Sequence, residues 1–370
     1  MSSPRMAIVH ERFTELGGSE TCVAQFFENW PRAEVFAPIV EPDSVRPPLH
    51  TVHDTWLSKA HSALGRRSHA PLLPFVPRAL RTLPLRGRFD AVLISHFAFA
   101  TQAVFATDAP TIAYVHSPAR WAWDPAFRAQ EAGGRAGQAA LSVLGEFARR
   151  NELRAALHLT HVIANSRAVA ERVHDWWGLT ASVVNPPVHV ERFTPDATVP
   201  REDFFLYAGR LVPYKRADLA IRAAQQAGVR LVVLGEGRFR PHLEAIAGPE
   251  TTFLGAAPSE VLLDTYRRAR ALLMPGVEDF GIVPVEAMAC GTPVIAVGEG
   301  GALDTVLPGR SGAHVPHGPD DAVIEGFAKA MTAFTPGDYD PATIREHALG
   351  FSPTTFRNRI DRTVEAVLAS

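Results

Sequence analysis

The sequence has little cysteine, little net charge and no long hydrophobic run. Its 370 residues include two cysteines, Cys22 and Cys290, too few for a disulfide framework and suited to a reducing compartment. A formal net charge of −2 argues against a general nucleic-acid binder. No apolar stretch reaches the roughly 18 residues of a membrane span, and the run at 6–9 is too short for a signal core. We therefore expect a cytoplasmic protein without a nucleic-acid partner.

Several common site motifs are also missing. There is no phosphate loop ending in Gly-Lys-Ser/Thr, no G-x-S-x-G elbow and no His/Cys cluster with metal-ligand spacing. No G-x-G-x-x-G follows the first predicted strand, and the late segment 298–301, Gly-Glu-Gly-Gly, lacks that spacing. These absences disfavour P-loop NTPases, α/β-hydrolases and dinucleotide dehydrogenases. We expect neither a metal site nor a resident cofactor.

The length of the chain exceeds what one hydrophobic core usually organises, so two domains are expected. Short apolar runs alternate with helical patterns from 7–10 to 182–184 and again from 204–208 to 293–297, which predicts βαβ units and parallel sheets. Helices are predicted at 146–159 and 167–177, among other places. A polar, proline-rich stretch at 185–200 reads as a linker. Ligands of such domains are expected at the carboxyl ends of the strands, between the domains.

Charge is distributed unevenly between the two halves. Residues 1–190 contain 19 Lys/Arg and 16 Asp/Glu, a net +3, whereas the remainder contains 18 and 23, a net −5. The N-terminal half is therefore the expected side for an anionic partner.

A cationic turn follows the strand predicted at 204–208. Gly209 ends that strand, Arg210 follows it, and Lys215 lies where the next helix is predicted to begin. Two cations beside a helix N-terminus favour a diphosphate ligand. A solvated basic turn is the alternative, and the turn alone does not decide between them.

Two glutamates separated by seven residues frame a Gly-Pro turn. Glu278 lies in a predicted loop, and Glu286 lies about one turn into the helix that follows Gly281 and Pro284. The neighbours of Glu286 are apolar, so an unpaired carboxylate there would be costly. Its partner is expected to be the ribose of a ligand, with an internal salt bridge or helix cap as the alternative.

Two segments of the first half adjoin predicted strand ends. His116 follows the strand at 111–115, where a lone histidine is more often structural than catalytic. Gly17 and Gly18 precede the first helix, where backbone N–H groups can meet an anion, although a double glycine also marks ordinary turns.

Taken in order, these segments resemble the retaining nucleotide-sugar glycosyltransferases of family 4, which have the GT-B fold. The resemblance covers nearly the whole chain and is most specific at the glutamate pair. The segments that carry it are 17–20, the strand end at His116, 163–166, 185–188, 209–216 and 278–291. It implies two Rossmann-like α/β domains facing a central cleft, with residues 1–190 binding the acceptor and 201–352 the nucleotide sugar. A helix at 353–370 would return to the first domain.

A narrower resemblance points to bacterial polysaccharide and O-antigen mannosyltransferases. Their His-x-Pro-x-Arg-Tyr-x-Trp-Asp stretch is similar to the segment 116–124, and the segments 211–216 and 281–286 are similar to the same branch. The chain departs from the branch at Trp121, where tyrosine is usual, and at 10–12, where His-Asp-Trp is common. The resemblance marks four acceptor-side candidates: Arg120, Trp121, Trp123 and Asp124.

The resemblance also implies roles for the donor side. Arg210 and Lys215 would hold the diphosphate and stabilise the leaving nucleotide, Glu286 would bind the ribose, and Glu278 would face the donor sugar. Backbone N–H groups would touch the sugar and phosphates at Phe280, Gly281, Ile282 and Val283.

In the first domain, the resemblance places His116 beside the transferred sugar and the Gly17-Gly18 pair beside the diphosphate. It implies retention of anomeric configuration. Negative charge develops on the departing diphosphate, and Arg210 and Lys215 could stabilise it without a metal, so transfer is expected to be metal-independent.

The function expected from these features is transfer of a hexose, first mannose from GDP-mannose, to a glycan, glycolipid or lipid-linked acceptor. A UDP-linked donor is the alternative with the same chemistry. A GT-B epimerase fits the motifs less well, and a catalytically silent nucleotide-sugar-binding partner is the alternative from another class.

The stretch 55–89 has seven basic residues and no acidic one, interleaved with apolar side chains. Such a pattern suits peripheral contact with an anionic membrane surface, or a lipid-pyrophosphate acceptor. The alternative is a pair of helices packed on the first domain with an exposed basic face.

Overall fold

The computed structural model describes residues 4–66, 68–131 and 134–369. It divides into two compact units, Met1–Pro187 with Pro353–Ser370, and Val188–Ser352. We call them unit 1 and unit 2. Arg67, one of the basic residues of the stretch 55–89, lies outside the described residues.

A parallel sheet lies at the centre of unit 1. Its strands are β1 (Met6–His10), β2 (Glu34–Phe36), β3 (Ala91–His96), β4 (Thr111–Val115), β5 (His161–Ala164) and β6 (Ser182–Val183). Their order is β2-β1-β3-β4-β5-β6, and every neighbouring pair is parallel. β1, β3 and β4 are buried along their whole length, as the continuous apolar runs predict for a sheet covered on both faces.

Helices cover both faces of this sheet. They are α1 (Gly18–Asn29), α2 (Trp56–Ala63), α3 (Val76–Arg81), α4 (Arg120–Trp123), α5 (Pro125–Glu131), α6 (Gly134–Ala156) and α7 (Arg167–Trp177). One core contains Val9, Ile94 and Phe99, and the core of the opposite face contains Ile8 and Phe26. Alternate residues of each central strand thus belong to opposite cores.

Unit 2 is built in the same way. Its strands are β7 (Phe205–Ala208), β8 (Leu231–Leu234), β9 (Thr251–Gly255), β10 (Leu272–Met274), β11 (Val294–Val297) and β12 (Gly312–Val315). They pair in parallel in the order β12-β11-β10-β7-β8-β9. The helices are α8 (Ala217–Ala227), α9 (Arg240–Ile246), α10 (Ser259–Arg268), α11 (Ile282–Ala289), α12 (Ala302–Thr305), α13 (Asp320–Thr332) and α14 (Pro341–Leu349).

The last helix, α15 (Pro353–Ala369), belongs to unit 1. Phe356 stacks on Phe26 of α1 with ring centroids 5.6 Å apart and meets the edge of Tyr114 at the same distance. The Asn29 side chain donates a hydrogen bond to the carbonyl of Arg357 over 2.9 Å. These contacts confirm the expected return of the terminal helix, and the two parallel sheets confirm the expected Rossmann-like units.

Each sheet has one point where the strand order reverses, between β1 and β3 in unit 1 and between β7 and β10 in unit 2. The connections leave such a pair of strands in opposite directions, which opens a crevice at their carboxyl ends where ligands of α/β proteins bind. These two crevices are therefore the first places to look for a site.

Candidate active site

In unit 2, the predicted cation turn and the first glutamate flank the strand-order reversal. Gly209 and Arg210 follow β7, and Glu278 lies in the loop after β10. The Nζ of Lys215 donates a hydrogen bond to Glu278 Oε1 over 2.5 Å. The two side chains are 14% and 26% exposed, so this ion pair is less screened than one in open solvent. Arg210 is exposed, and its Nη2 donates to the Tyr214 hydroxyl over 3.2 Å.

The helix expected to begin near Lys215 begins two residues after it. Lys215 ends a short 3-10 turn, Pro213–Lys215, and α8 begins only at Ala217. Arg216 lies between them with a left-handed φ of 55°, which interrupts the helical path. Its guanidinium pairs with Asp218 at 3.1 Å and Asp320 at 2.6 Å, so two carboxylates hold the turn that carries Lys215.

Glycines bring the loop after β8 into close contact with this turn. A Cβ atom on Gly235 would overlap the carbonyl of Gly209, and one on Gly237 would overlap the carbonyl of Leu211. The amide of Leu211 donates to the carbonyl of Glu236 over 2.8 Å. Only glycine permits this approach, so the 235–237 loop forms one wall of the crevice.

A second pair of glycines supports the loop that holds Glu278. Gly301 donates its amide to the Glu278 carbonyl over 2.8 Å, and a Cβ on it would overlap the backbone of Phe280. Gly300 lies directly against the Glu278 carbonyl with a φ of 64°. Gly300 and Gly301 thus pack against the backbone of the loop that holds Glu278.

The N-terminus of α11 follows directly on the loop that holds Glu278. Gly281 precedes the helix with a φ of 92°, and no side chain caps this end. The first N–H groups of a helix have no intrahelical acceptor and carry partial positive charge. Phe280 is buried, whereas Ile282 and Val283 are partly exposed. The backbone here can therefore receive an anion.

Glu286 lies on α11 in a setting that favours its neutral form. Burial raises its pKa from 4.5 to about 7, against the opposing effects of the Tyr266 hydroxyl and the charge of Arg192. The Tyr266 hydroxyl lies 2.9 Å from Glu286 Oε2. Tyr266, a residue of unit 2, is therefore the polar partner of Glu286, and it binds one of the two carboxylate oxygens. No carboxylate–cation pair at Glu286 occurs among the described residues.

In unit 1, four side chains form a continuous hydrogen-bonded series at the reversal between β1 and β3. Glu20 Oε1 lies 3.2 Å from His10 Nε2, His10 Nδ1 lies 2.9 Å from Ser95 Oγ, and Ser95 Oγ lies 2.9 Å from His116 Nε2. His10 and Ser95 are fully buried. We call this set the His116 relay.

His116 is neutral near pH 7. Burial lowers its pKa from 6.5 to about 3, and His10 and His96 lower it further while Glu20 opposes them. Its ring packs edge-on against Tyr114 at 5.1 Å and near Phe97 at 6.4 Å. A neutral imidazole can offer one donor and one acceptor to a ligand or neighbour.

The structure places the Gly17-Gly18 pair at the start of α1, with Gly17 extended and Gly18 inside the helix. Glu20 folds back towards it, because a Cβ on Gly17 would lie 3.1 Å from Glu20 Oε2. The hydroxyl of Ser19 donates to the same oxygen over 2.9 Å. A carboxylate thus already occupies part of this helix N-terminus.

The four acceptor-side candidates divide into two groups. Trp123 is tied into the fold: its Nε1 donates to Glu152 over 2.5 Å and its ring stacks on Trp176 at 5.6 Å. Asp124 accepts from two backbone amides at the start of α5 and lies 3.5 Å from Arg120, whose guanidinium covers Phe127. Trp121 lines a cavity of unit 1.

That cavity has a volume of about 590 Å³ and adjoins the carboxyl ends of β1, β3 and β4. Its described lining is largely apolar: Pro71, Leu73, Phe97, Trp121, Leu141 and Leu144. Burial and the charge of Arg12 lower the pKa of the neighbouring His69 to about 4, so His69 is neutral near pH 7. Arg12 is therefore the positively charged side chain of this lining. The guanidinium lies 4.7 Å over Phe97, and its buried Nε has no hydrogen-bond partner. The cavity suits an apolar ligand with one anionic group.

Several site residues were not predicted from the sequence. Tyr266 and the wall glycines 235 and 237 lie far along the chain from the motifs they support. His10 and Ser95 end predicted strands, and neither was singled out as a site residue. For His10, Ser95 and the two glycines a usable signal was their position at or just after the carboxyl end of a predicted strand, whereas Tyr266 lies within α10 and had no such signal.

Two family models match the chain, side by side. Residues 16–192 match Glycosyltransferase Family 4, and residues 192–333 match Glycosyl transferases group 1. Together with the two parallel-sheet units, these matches decide the family. The chain belongs to the GT-B glycosyltransferases of the family 4 and group 1 type.

Curated relatives of this glycosyltransferase are similar over part of their length. A D-inositol 3-phosphate glycosyltransferase from Kribbella flavida is 37% identical over 206 residues, which are 46% of this chain and 47% of the relative. One from Mycobacteroides abscessus is 32% identical over 215 residues, which are 52% and 48%. The matches thus span about half the length of these relatives.

Solved structures share the fold over the whole chain. The Anabaena protein HepE in complex with UDP and glucose has a TM-score of 0.71 at 17% identity, covering 98% of this chain and 100% of that one. Sucrose-phosphate synthase from Thermosynechococcus elongatus has a TM-score of 0.71 at 18% identity, covering 99% of each.

Among the residues that the structure describes, no helix is long and apolar enough to cross a membrane. In the same part of the chain, histidine, cysteine and acidic side chains do not gather in threes around a point where a metal ion could bind.

Proposed function

We propose that this glycosyltransferase transfers a hexose from a nucleotide sugar to an acceptor hydroxyl. The observation that carries the proposal is the crevice of unit 2, where Lys215 pairs with Glu278, Arg210 follows β7, and the uncapped N-terminus of α11 follows the loop that holds Glu278. A departing nucleoside diphosphate gains negative charge, and these groups are the kind that stabilise it. The bond from the sugar to the diphosphate breaks, a bond from the sugar to the acceptor oxygen forms, and the proton of the acceptor hydroxyl passes to the departing diphosphate.

The remaining donor-side roles follow the same chemistry. Glu286 has one oxygen on Tyr266, which leaves the other for the ribose hydroxyls. Glu278 shares its carboxylate with Lys215, so it both orients the cation and faces the donor sugar. Amides of Phe280, Gly281, Ile282 and Val283 would meet the sugar and phosphates.

We further propose that His116 contacts the transferred sugar and that the Gly17-Gly18 backbone approaches the diphosphate. Transfer with retention, without a metal or another resident cofactor, is part of the proposal. Fixed cations at Arg210 and Lys215 would supply the charge that a metal supplies in other transferases.

GDP-mannose is the first donor to test, because the segment 116–124 is similar to the mannosyltransferase branch. A UDP-sugar is the second candidate. Support for it comes from the fold neighbour from Anabaena, whose structure holds UDP and glucose. Both donors present the same diphosphate and ribose to unit 2, so the residues above do not discriminate between them.

A panel of GDP, UDP, ADP and their common sugar conjugates tests the proposal. The true donor should raise the melting temperature selectively and be hydrolysed slowly without acceptor. Lys215→Ala should lower turnover by on the order of a hundredfold or more. Lys329→Ala removes a lysine from another Lys–Glu pair of unit 2, at 2.6 Å on α13, and should leave turnover unchanged.

Two results would contradict the proposal. If Lys215→Ala turned over at nearly the wild-type rate, Lys215 would not be a group that stabilises the departing nucleoside diphosphate. Selective binding without hydrolysis or transfer would favour the second candidate function, a catalytically silent nucleotide-sugar-binding partner.

For the acceptor, we propose a glycan, glycolipid or lipid-linked molecule, with a lipid-linked one first. The apolar cavity of unit 1 supports this order, since Leu73, Leu141 and Leu144 suit a hydrocarbon chain and Arg12 suits a phosphate. The cavity lies beside the proposed reaction centre, because the ring of Phe97 lines it and also lies near His116.

Peripheral contact with the inner face of a cytoplasmic membrane is the last part of the proposal. In the stretch 55–89, Trp56, Leu64 and Phe75 are each about half exposed. A separate cavity of about 280 Å³ is lined by Arg78, Arg81, Arg150 and Arg154 and would take an anionic headgroup.

A further inference from the structure

We propose that Ser95, His10 and Glu20 are positioning residues that make His116 present a bare Nδ1 lone pair to its ligand. The inference rests on the proposed function only for the identity of that ligand, the donor sugar. The hydrogen-bond geometry within unit 1 carries the rest.

The relay is built into the rigid part of the fold. His10 ends β1 and Ser95 lies in β3, and these adjacent strands pair residue for residue, His10 opposite Ser95. β4 follows on the other side of β3 and delivers His116 directly after its last residue. The three hydrogen bonds measure 3.2, 2.9 and 2.9 Å, and the two central side chains have no exposure. Little conformational freedom is left to any member.

The direction of the relay follows from the carboxylate at its start. Burial alone would raise the pKa of Glu20, but its hydrogen bonds, first the one from His10, lower it overall. An ionised carboxylate can only accept, so His10 donates from Nε2. With His10 as the neutral imidazole, its Nδ1 accepts from the Ser95 hydroxyl, and the Ser95 oxygen accepts from His116 Nε2.

His116 is consequently held as the Nε2–H tautomer. Among the described residues, the hydrogen-bond partner of the His116 ring is Ser95, on Nε2, and this leaves Nδ1 for a ligand. It can accept a hydrogen bond from a sugar hydroxyl but cannot donate one. A doubly protonated His10 would keep its bond to Glu20 but would donate from Nδ1 to Ser95, so that Ser95 would donate to His116 Nε2 and the Nδ1 of His116 would become a donor. The two directions therefore give opposite recognition of the ligand.

Nitrogen NMR of the full-length protein with 15N-labelled histidine reads this tautomer without any substrate. The His116 signals are assigned by their loss in His116→Gln. We expect Nε2 protonated and Nδ1 unprotonated in the wild type at neutral pH. Ser95→Ala and Glu20→Ala should each give a mixture of tautomers, whereas Ser95→Thr, which keeps the hydroxyl, should restore the single form.

Thr101→Val is the matched control, because Thr101 is also buried in unit 1 and its hydroxyl has no hydrogen-bond partner. It should leave the His116 signals unchanged. A protonated Nδ1 in the wild type would overturn the proposal, and so would an unchanged His116 spectrum in Ser95→Ala and Glu20→Ala.

Kinetics then separates this proposal from the proposed function. With the identified donor, Ser95→Ala should lower kcat by about tenfold or more with a smaller change in donor KM, since binding survives and recognition by His116 does not. If Ser95→Ala gave a mixture of His116 tautomers but kept the wild-type kcat, Ser95 would fix the tautomer and the tautomer would not contribute to transfer. If His116→Ala turned over like the wild type, the role of His116 in transfer would fail while the NMR result would stand.

Discussion

Burial of Glu286 raises its pKa and makes the stability of the fold depend on pH. Its pKa in the fold is about 7, whereas the ordinary value is 4.5, because the surrounding apolar side chains disfavour the charged form. Between these two values the folded state holds a proton that the unfolded state has lost. Unfolding free energy therefore falls as pH rises through this window, and the full penalty is present above about pH 7.

Glu286→Gln removes this penalty while keeping the shape and an acceptor for Tyr266. We expect the difference in unfolding free energy between this variant and the wild type to grow by about 3 kcal/mol between pH 5 and 8, in favour of the variant. Urea unfolding at both pH values measures it. His116 and His69, whose pKa values are lowered, contribute with the opposite sign but equally in both proteins.

Glu346→Gln provides the control, because Glu346 is 77% exposed and lies 3.9 Å from its partner Arg310. Its difference from the wild type should not change over the same range. A flat difference for Glu286→Gln as well would mean that Glu286 is ionised in the fold throughout.

The sequence predicts which polar residues stand at the ends of strands, but it does not predict which side chains they contact in the fold. Lys215 and Glu278 are 63 positions apart, and only the adjacency of β7 and β10 brings them to 2.5 Å. The same applies to His10, Ser95 and His116, which come from three strands. In the segment 116–124, Trp123 turned out to bind Glu152 on α6, and no local pattern indicates that contact.

At the scale of elements, local signals predicted some boundaries well. α7 has the predicted bounds, 167–177, because the Ser166 hydroxyl caps its start and Gly178 ends it with a φ of 70°. β12 was not predicted, since Gly312 and His314 interrupt its short apolar pattern. α6 begins earlier than the 146 expected from the sequence, where its outer face is largely exposed and gives little periodicity.

The glycine pair 300–301 makes an element-scale prediction. A Cβ in Gly301→Ala would overlap the Phe280 backbone, so the 278–281 loop must shift. We expect a loss of about 1–3 kcal/mol in unfolding free energy, typical of overpacking, with weaker nucleotide binding. Gly337→Ala is the control, because nothing lies within 4 Å of its new Cβ. Equal stability of the two variants in urea unfolding would contradict the role given to Gly301.

At the scale of the whole molecule, the structure reduces the membrane-contact candidate to a small surface. Most apolar residues of the stretch 55–89 are core, including Leu57, Leu72, Val76, Leu80 and Leu83. Arg81 is occupied by Gln102 and Asn151, and Arg88 by Glu34. This agrees with the helical pair that the sequence left open as an alternative.

The exposed aromatic pair of this stretch provides the sharper test of membrane contact. The rings of Trp56 and Phe75 meet edge to face with centroids 6.2 Å apart, and the two residues are 49% and 50% exposed. The stretch 55–89 that contains them has basic but no acidic residues. We expect the protein to float with phosphatidylglycerol liposomes, less so in high salt, and Trp56→Ser with Phe75→Ser to abolish flotation. Leu254→Ser with Val261→Ser removes comparably exposed apolar side chains from unit 2 and should not. If the wild type fails to float, or the control pair abolishes flotation equally, this surface does not bind membranes. The basic cavity around Arg78 would then serve a soluble anion.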